Sequence, residues 1–316
     1  MDSFHHMCIR NENLKYSTNW SEYQEYIINM IGNCFENSLD ITNIEFVQKL
    51  SFDTGNALVF LGFHPEYGLC VVKDHLFSTS KIPFHIVKEI DTIIQIKQKQ
   101  SNKSFFQQCL NISVQTSHVR IVFEYLPKCL NSDLNISTRF LRHIIKGIIT
   151  TVSELHRLGI SHRDIKVDNL CLRLSCDIVI IDMDSAGNID NNGHIIPITT
   201  IDTRAPEIFT FEIEKQEDKR KSCIYSNEKL DAWGVAITIL QLTIDETVFD
   251  NADRVNPTQM LEAIERLINE VAVKSERMVK AKERMGSLWG NVFIPLLKTD
   301  PLLRSSVLEV EKKLHI

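Results

Sequence analysis

No run of apolar residues in this 316-residue chain approaches the roughly 18 needed to cross a bilayer. The opening stretch, MDSFHHMCIRNENLKYSTNW, lacks the apolar core that follows a basic start in a secretory signal. Metal-ligand spacing is missing as well: the eight cysteines include no CxxC pair. Scattered cysteines in a chain with no export signal read as reduced thiols, several of them buried, in a cytoplasmic or nuclear protein. The sequons at Asn111 and Asn135 then carry no weight. Eleven glycines and eight prolines form no Pro/Gly/Ser linker, and there is no internal repeat or low-complexity tract. Positive charge is not in surplus either, since the formal net charge is −6. The densest basic cluster, Lys219-Arg220-Lys221, directly follows Glu217 and Asp218, which argues against a nucleic-acid-binding face. What the chain does have is 43% hydrophobic residues, ample for a globular core.

The hydrophobic pattern changes character along the chain. An aromatic-rich patch, Trp20 to Ile28, reads as a short amphipathic helix in an N-terminal extension over residues 1–45. Ala57 to Leu61 and Leu69 to Lys73 are short apolar runs separated by His64-Pro65-Glu66, a hairpin pattern. Val87, Ile90, Ile93 and Ile94 fall on one face of a helix over 87–96, and Val119, Ile121, Phe123 and Tyr125 alternate as in a half-buried strand. From residue 137 the period becomes 3.6. Ser137 or Thr138 can cap a helix whose stripe runs Phe140, Leu141, Ile144, Ile145, Ile148, Ile149, Val152, Leu155, with Gly159 placed for a left-handed stop. Short strands are expected at 170–173 and 178–181, then helices at 230–242, from about 257 to 285, and after Pro301. The expectation is an α+β fold, sheet-rich before residue 127 and helix-rich after it.

The most informative stretch is His162-Arg163-Asp164-Ile165-Lys166-Val167-Asp168-Asn169, between a strong helix and a strand. Phosphoryl transfer asks a protein mainly for positioning and charge neutralisation. A carboxylate must accept the hydroxyl proton, a cation must meet the transferred phosphate, and oxygen ligands must hold a metal. Asp164, Lys166 and Asn169 supply one of each. Asp182, at the end of the apolar run Ile178 to Ile181, is a second oxygen donor, and an Asp there is costly unless a metal or strong donors satisfy it.

With these motifs the chain resembles the eukaryotic-type Ser/Thr protein kinase family over about residues 46–316, with a bilobal fold: a small antiparallel-sheet N-lobe with one helix (about 46–126) and a larger, mainly helical C-lobe (about 127–316). The resemblance implies transfer of the ATP γ-phosphate to Ser or Thr of protein substrates, with Mg²⁺. Residue by residue, it makes Asp164 the catalytic base, Lys166 a phosphate contact, and Asn169 and Asp182 the Mg²⁺ ligands. Val71-Val72-Lys73 resembles the strand whose lysine holds the α- and β-phosphates, and Glu89 is its orienting partner. Phe123-Glu124-Tyr125-Leu126 resembles the hinge, with the backbone of Glu124 and Leu126 binding adenine. Ala205-Pro206-Glu207 resembles the end of the activation segment, its Glu pairing with Arg304, and Asp231 is the anchor of the catalytic-loop backbone beside His162 and Arg163. Lys166, two residues after the loop Asp, is typical of Ser/Thr rather than Tyr kinases. The compact, diverged pattern also resembles kinases of large DNA viruses.

Two departures stand out. The Gly-rich loop over the phosphates is eroded, because Gly55 is the single glycine between Leu50 and Leu58 and Asp53 would repel phosphate. The metal loop reads Asp182-Met183-Asp184, with Met in the usual Phe slot. The eroded loop favours a pseudokinase scaffold or allosteric partner as the alternative; retention of Lys73, Glu89, Asp164, Asn169 and Asp182 opposes it. A small-molecule kinase on the related fold is opposed by Lys166 and by the Ala-Pro-Glu/Arg304 pair. Asn192 to Ile198 offers no Ser or Thr, so activity is expected without loop phosphorylation, and Thr199 and Thr200 are expected to shape the substrate platform. The charged stretch 210–228 reads as a solvated loop or a docking surface for a partner, and Met260 to Met285 as a surface helix pair.

Overall fold

A computed structural model of the chain describes residues 20–35, 41–50, 57–78, 81–99, 105–130, 136–189, 200–216, 226–250, 254 and 256–314. The chain divides into two compact units, Met1–Pro127 and Lys128–Ile316. The class is α+β: a five-stranded antiparallel sheet lies in the first unit and most of the helix in the second. Among the described residues no helix is long and apolar enough to cross a membrane.

The sheet of the first unit runs β1 (Glu45–Lys49), β2 (Leu58–His64), β3 (Gly68–Leu76), β5 (His118–Glu124), β4 (Cys109–Gln115) in spatial order. The β2–β3 hairpin forms where His64-Pro65-Glu66 announces it. His64 Nδ1 accepts from the N–H groups of Glu66 and Tyr67 at 3.2 and 3.3 Å, and Gly68 takes φ +88°, a conformation costly for any residue with a Cβ. Side chains alternate across the sheet. Cys70, Val72 and Val122 face one side with Ile44 and Leu110, while Val119 and Ile121 face the other. That second face receives the helix Phe84–Lys99, whose Ile86, Val87, Ile90, Ile93 and Ile94 are buried against it. The helix starts on Pro83, whose carbonyl accepts from Ile86 and Val87, and Lys97 and Lys99 complement its C-terminal dipole. The helix Trp20–Phe35 covers the same core with Ile27, Ile31 and Phe35.

The second unit is built around the helix Thr138–Arg157. Ser137 caps it, accepting from the Phe140 N–H at 3.3 Å, and Gly159 ends it at φ +79°. Leu141, Ile144, Ile145, Ile148, Ile149, Val152 and Leu155 are fully buried, each contributing about 1.5–3 kcal/mol. Phe140, expected in this stripe, is only half-buried and stacks on His143, because it lies in the first turn at the rim. A Cβ on Gly147 would lie 2.5 Å from the Ile178 side chain, so this position is where the helix meets the strand Ile178–Ile180. That strand pairs with Leu170–Leu172, which pairs with Lys128–Cys129. The helix Asn227–Ile244 is buried nearly all round. The long helical stretch expected from 257 is two helices, Pro257–Val273 and Glu276–Met285, broken at Lys274 with φ +58°. The last described helix, Val307–Lys312, starts on a Ser306/Glu309 capping box.

One expectation needs correction. Cys129 and Cys171 are not reduced thiols: they are opposite each other in the antiparallel register, 3.8 Å apart at Cα, and are joined as a disulfide. A strand pairing between residues 42 positions apart leaves no trace in cysteine spacing, so the cysteines no longer argue for a reducing compartment. Cys34, Cys70, Cys109 and Cys176 are free, and burial pushes the Cys70 and Cys109 thiols upward in pKa. Cys8 and Cys223 lie outside the described residues.

Candidate functional site

In the first unit, the two-residue period of β3 puts Lys73 and His75 on the sheet face that receives the helix Phe84–Lys99. Glu89 on that helix meets both. Its Oε1 accepts from Lys73 Nζ at 2.8 Å, and its Oε2 lies 3.0 Å from His75 Nε2, a charge-proximity contact rather than an aligned hydrogen bond. All three side chains are buried. The sequence pairs Lys73 with Glu89, and the two are in contact; His75 has no signal in the sequence, because a lone strand histidine gains meaning only once the helix is docked. On the opposite face Asp74 takes a bidentate grip from Arg120, with both contacts at 2.8 Å. Burial alone would raise the Asp74 carboxyl, but Arg120 and His118 outweigh it and hold it below the usual range.

The expected adenine contacts have neighbours of their own. Glu124 donates its N–H to Gln108 O at 2.9 Å, its carbonyl accepts from Gln107 Nε2 at 3.0 Å, and its carboxylate accepts from the Gln108 N–H at 2.7 Å. Leu126 is buried. Gly55 and its neighbours Ser51, Asp53 and Asn56 lie outside the described residues, as do residues 190–199 and 217–225.

In the second unit the stretch 162–169 follows the strand Ile160–Ser161 and is held from below by Asp231 on the helix Asn227–Ile244. The Asp231 carboxylate accepts from the N–H groups of His162 (2.8 Å) and Arg163 (2.6 Å) and from Ser161 Oγ (2.8 Å). It also contacts His156 Nε2 at 2.8 Å. Asp231 is fully buried. Desolvation would raise its carboxyl, but His156, His162 and the Arg163 N–H prevail and keep it lowered. His156 belongs to the site's support and was not singled out in the sequence, where it ends an ordinary apolar helix. His162 Nδ1 accepts from the Asp164 N–H at 3.3 Å, which assigns the ring proton to Nε2, donated to Ile181 O at 2.9 Å. Arg163 takes φ +67°, a left-handed conformation offset by these bonds.

Asp164 is held by three donors. Its Oδ1 accepts from the Thr200 N–H at 2.8 Å, and its Oδ2 accepts from Lys166 Nζ at 2.9 Å and Asn169 Nδ2 at 3.2 Å. Burial would raise this carboxyl; Lys166 and Thr200 outweigh burial, so it lies below the usual range. Lys166 Nζ also donates to Thr200 Oγ1 at 2.9 Å. Asn169 donates a further bond to Asp164 O at 2.9 Å, so its amide nitrogen is engaged and its oxygen is the group left for a cation. The Ile181 N–H donates to Asn169 O at 3.0 Å, which brings Asp182 beside Asn169. Asp182 takes φ +63° and is exposed, so the argument that a buried strand-end Asp demands a metal does not hold. Met183 is buried.

Glu207 and Arg304 form a bidentate pair, at 2.8 and 2.9 Å. Arg304 is fully buried, also donates to the carbonyls of Lys298, Lys229 and Thr299, and lies over the Trp233 ring. Ala205 and Pro206 are buried beside it. Asn169 and Asp182 offer hard oxygen donors of the kind Mg²⁺ takes, and the donor set fits that ion.

Comparison with known proteins bears on the chain's family. The protein kinase domain model matches residues 62–316. The Rho-associated protein kinase let-502 of Caenorhabditis briggsae is 26% identical over 136 residues, covering 42% of this chain and 11% of that protein. FMP48 of Saccharomyces cerevisiae, named as a probable serine/threonine-protein kinase, is 31% identical over 114 residues, 34% of this chain and 31% of that one. The serine/threonine-protein kinase ppk34 of Schizosaccharomyces pombe is 25% identical over 202 residues, 61% of this chain and 54% of that one. The chain thus spans about half or less of each relative's length.

Proposed function

The chain belongs to the protein kinase family, and on that premise we propose that it transfers the γ-phosphate of ATP to Ser or Thr hydroxyls of protein substrates. The observation that carries the reading is the Asp164 carboxylate, fixed as an anion by the Thr200 N–H, Lys166 and Asn169 within one unit. A carboxylate held this low accepts a hydroxyl's proton late, which suits a loose transition state in which the nucleophile is little deprotonated early. Asp164 orients the substrate hydroxyl and receives its proton as the bond to phosphorus completes. Lys166, already beside Asp164, turns its charge to the transferred phosphoryl group, and its position supports Ser/Thr over Tyr acceptors. Lys73, aligned by Glu89, takes the α- and β-phosphates; the backbone of Glu124 and Leu126, with Gly55, takes the rest of the nucleotide. Asn169 and Asp182 hold Mg²⁺, which when bound offsets phosphate charge. Asp231, His162, Arg163 and the Glu207–Arg304 pair keep the loop in place. A reaction drawing on ATP fits a cytoplasmic or nuclear location.

Incubation with radiolabelled ATP, Mg²⁺ and a generic basic protein substrate tests the reading, with phosphoamino-acid analysis of the product. The expected result is phosphoserine or phosphothreonine from the native chain and none from Asp164→Asn. Equal incorporation by both proteins would remove Asp164 as the base; ATP binding without transfer by either would point to a scaffold.

A further inference from the structure

The second unit carries a groove of about 710 Å³ that none of these roles uses. It lies between the helix Pro206–Gln216, the helix Pro257–Val273 and the turn at Thr299–Pro301. Its floor is apolar, made by Pro206, Leu261, Ile264 and Ile268. Among the described residues every charged side chain lining it is acidic. Glu207 is neutralised by Arg304, but Glu214, Glu265 and Asp300 make no ion pair among the described residues. An apolar floor under an acidic rim selects against acidic and purely polar segments and favours one that pairs aliphatic or aromatic anchors with Lys or Arg.

We propose that this groove docks a basic, amphipathic segment of a protein partner, a Leu- or Phe-bearing stretch flanked by Lys and Arg. Charge complementarity carries the choice of occupant. Geometry adds a functional consequence, which rests on the proposed phosphotransfer. Thr200, whose N–H holds Asp164, is six residues from Pro206 at the groove, so the two are at most about 22 Å apart. A substrate docked here could present a Ser or Thr to Asp164 across a linker of about seven residues or more, with the gain in effective concentration that tethering brings.

The test uses the full chain and a fluorescein-labelled peptide of Leu pairs alternating with Lys-Arg pairs, followed by fluorescence anisotropy without ATP. Two control peptides replace Lys/Arg by Glu, or Leu by Ser. The basic amphipathic peptide is expected to bind about tenfold or more tightly than either control, and to lose about tenfold in Glu214→Lys/Glu265→Lys and in Ile268→Ser. These variants should still phosphorylate a short peptide that lacks the Lys-Arg and Leu pairs, which shows that they fold. Asp164→Asn should bind the probe normally, so failure of docking and failure of phosphotransfer are told apart. Equal affinity for the acidic peptide, or no change in the double charge reversal, overturns the proposal. So does tighter probe binding after Lys219→Ala, Arg220→Ala and Lys221→Ala, which would make the chain's own basic run the occupant. A dimer in light scattering that the double variant dissolves would assign the groove to a second copy and overturn it equally.

Discussion

The two units hold their functional side chains by different means. In the second unit Asp164 is bound by three donors, and the loop beneath it is gripped by Asp231 through two backbone N–H groups, a serine hydroxyl and a histidine. In the first unit Lys73 is aligned by Glu89, whose second oxygen faces His75. A loop gripped by several buried bonds keeps its place through small perturbations of any one; the Lys73–Glu89 pair joins a strand to a helix, so its geometry follows the placement of that helix. The loop of the second unit is therefore preorganised by its own buried bonds, and the pair of the first unit by the docking of its helix on the sheet.

The largest effect is expected at Asp164. Asp164→Asn should reduce phosphoryl transfer by about 10²- to 10⁴-fold while leaving ATP binding intact, measured by radiolabel incorporation beside calorimetry. Next in size are the buried supports of the second unit. Arg304→Ala leaves Glu207 without its bidentate partner and should cost about 3–5 kcal/mol in chemical denaturation. If it melts like the native chain, the pair does not hold this unit together.

Lys73→Met tests the first unit. It removes Glu89's lysine partner and should raise the KM for ATP by about tenfold or more, with thermal stability lowered less than by Arg304→Ala. His75→Phe should act in the same direction and more weakly, about 1–3 kcal/mol in denaturation, because Glu89 keeps Lys73. A larger loss for His75→Phe than for Lys73→Met would reverse the ranking of the two partners.

The smallest effect is that of pH. Asp164 and Asp231 are both lowered in the folded chain, so their stabilising contribution is complete above the unfolded carboxyl value, about 3.9, and is lost as pH falls through their folded values. Between pH 5 and 8 neither should titrate, and the acid limb of a pH–rate profile set by Asp164 should lie below about pH 4. An inflection near pH 6 that vanishes in Asp164→Asn would contradict the lowered carboxyl.

The residues that chemistry requires in close succession were legible in the chain itself. Asp164, Lys166 and Asn169 lie within six positions, and the stripe from Leu141 to Leu155 announces its helix by period alone. Even the long-range Glu207–Arg304 pair could be anticipated, because family order supplied what distance hides. His75 and His156 could not, since each gains meaning only from a carboxylate on another element. The Cys129–Cys171 bond is hidden from the sequence for the same reason: strand register decides which cysteines meet, and spacing does not.

By itself, then, the amino-acid order determined which side chains are present for the chemistry and which local segments are helix or strand, because both depend on near neighbours and on period. Tertiary structure alone decided which charges are shared, which carboxylates are lowered, and that an apolar groove lies under an acidic rim. Those depend on burial and on distances between elements, which exist only after the chain has packed.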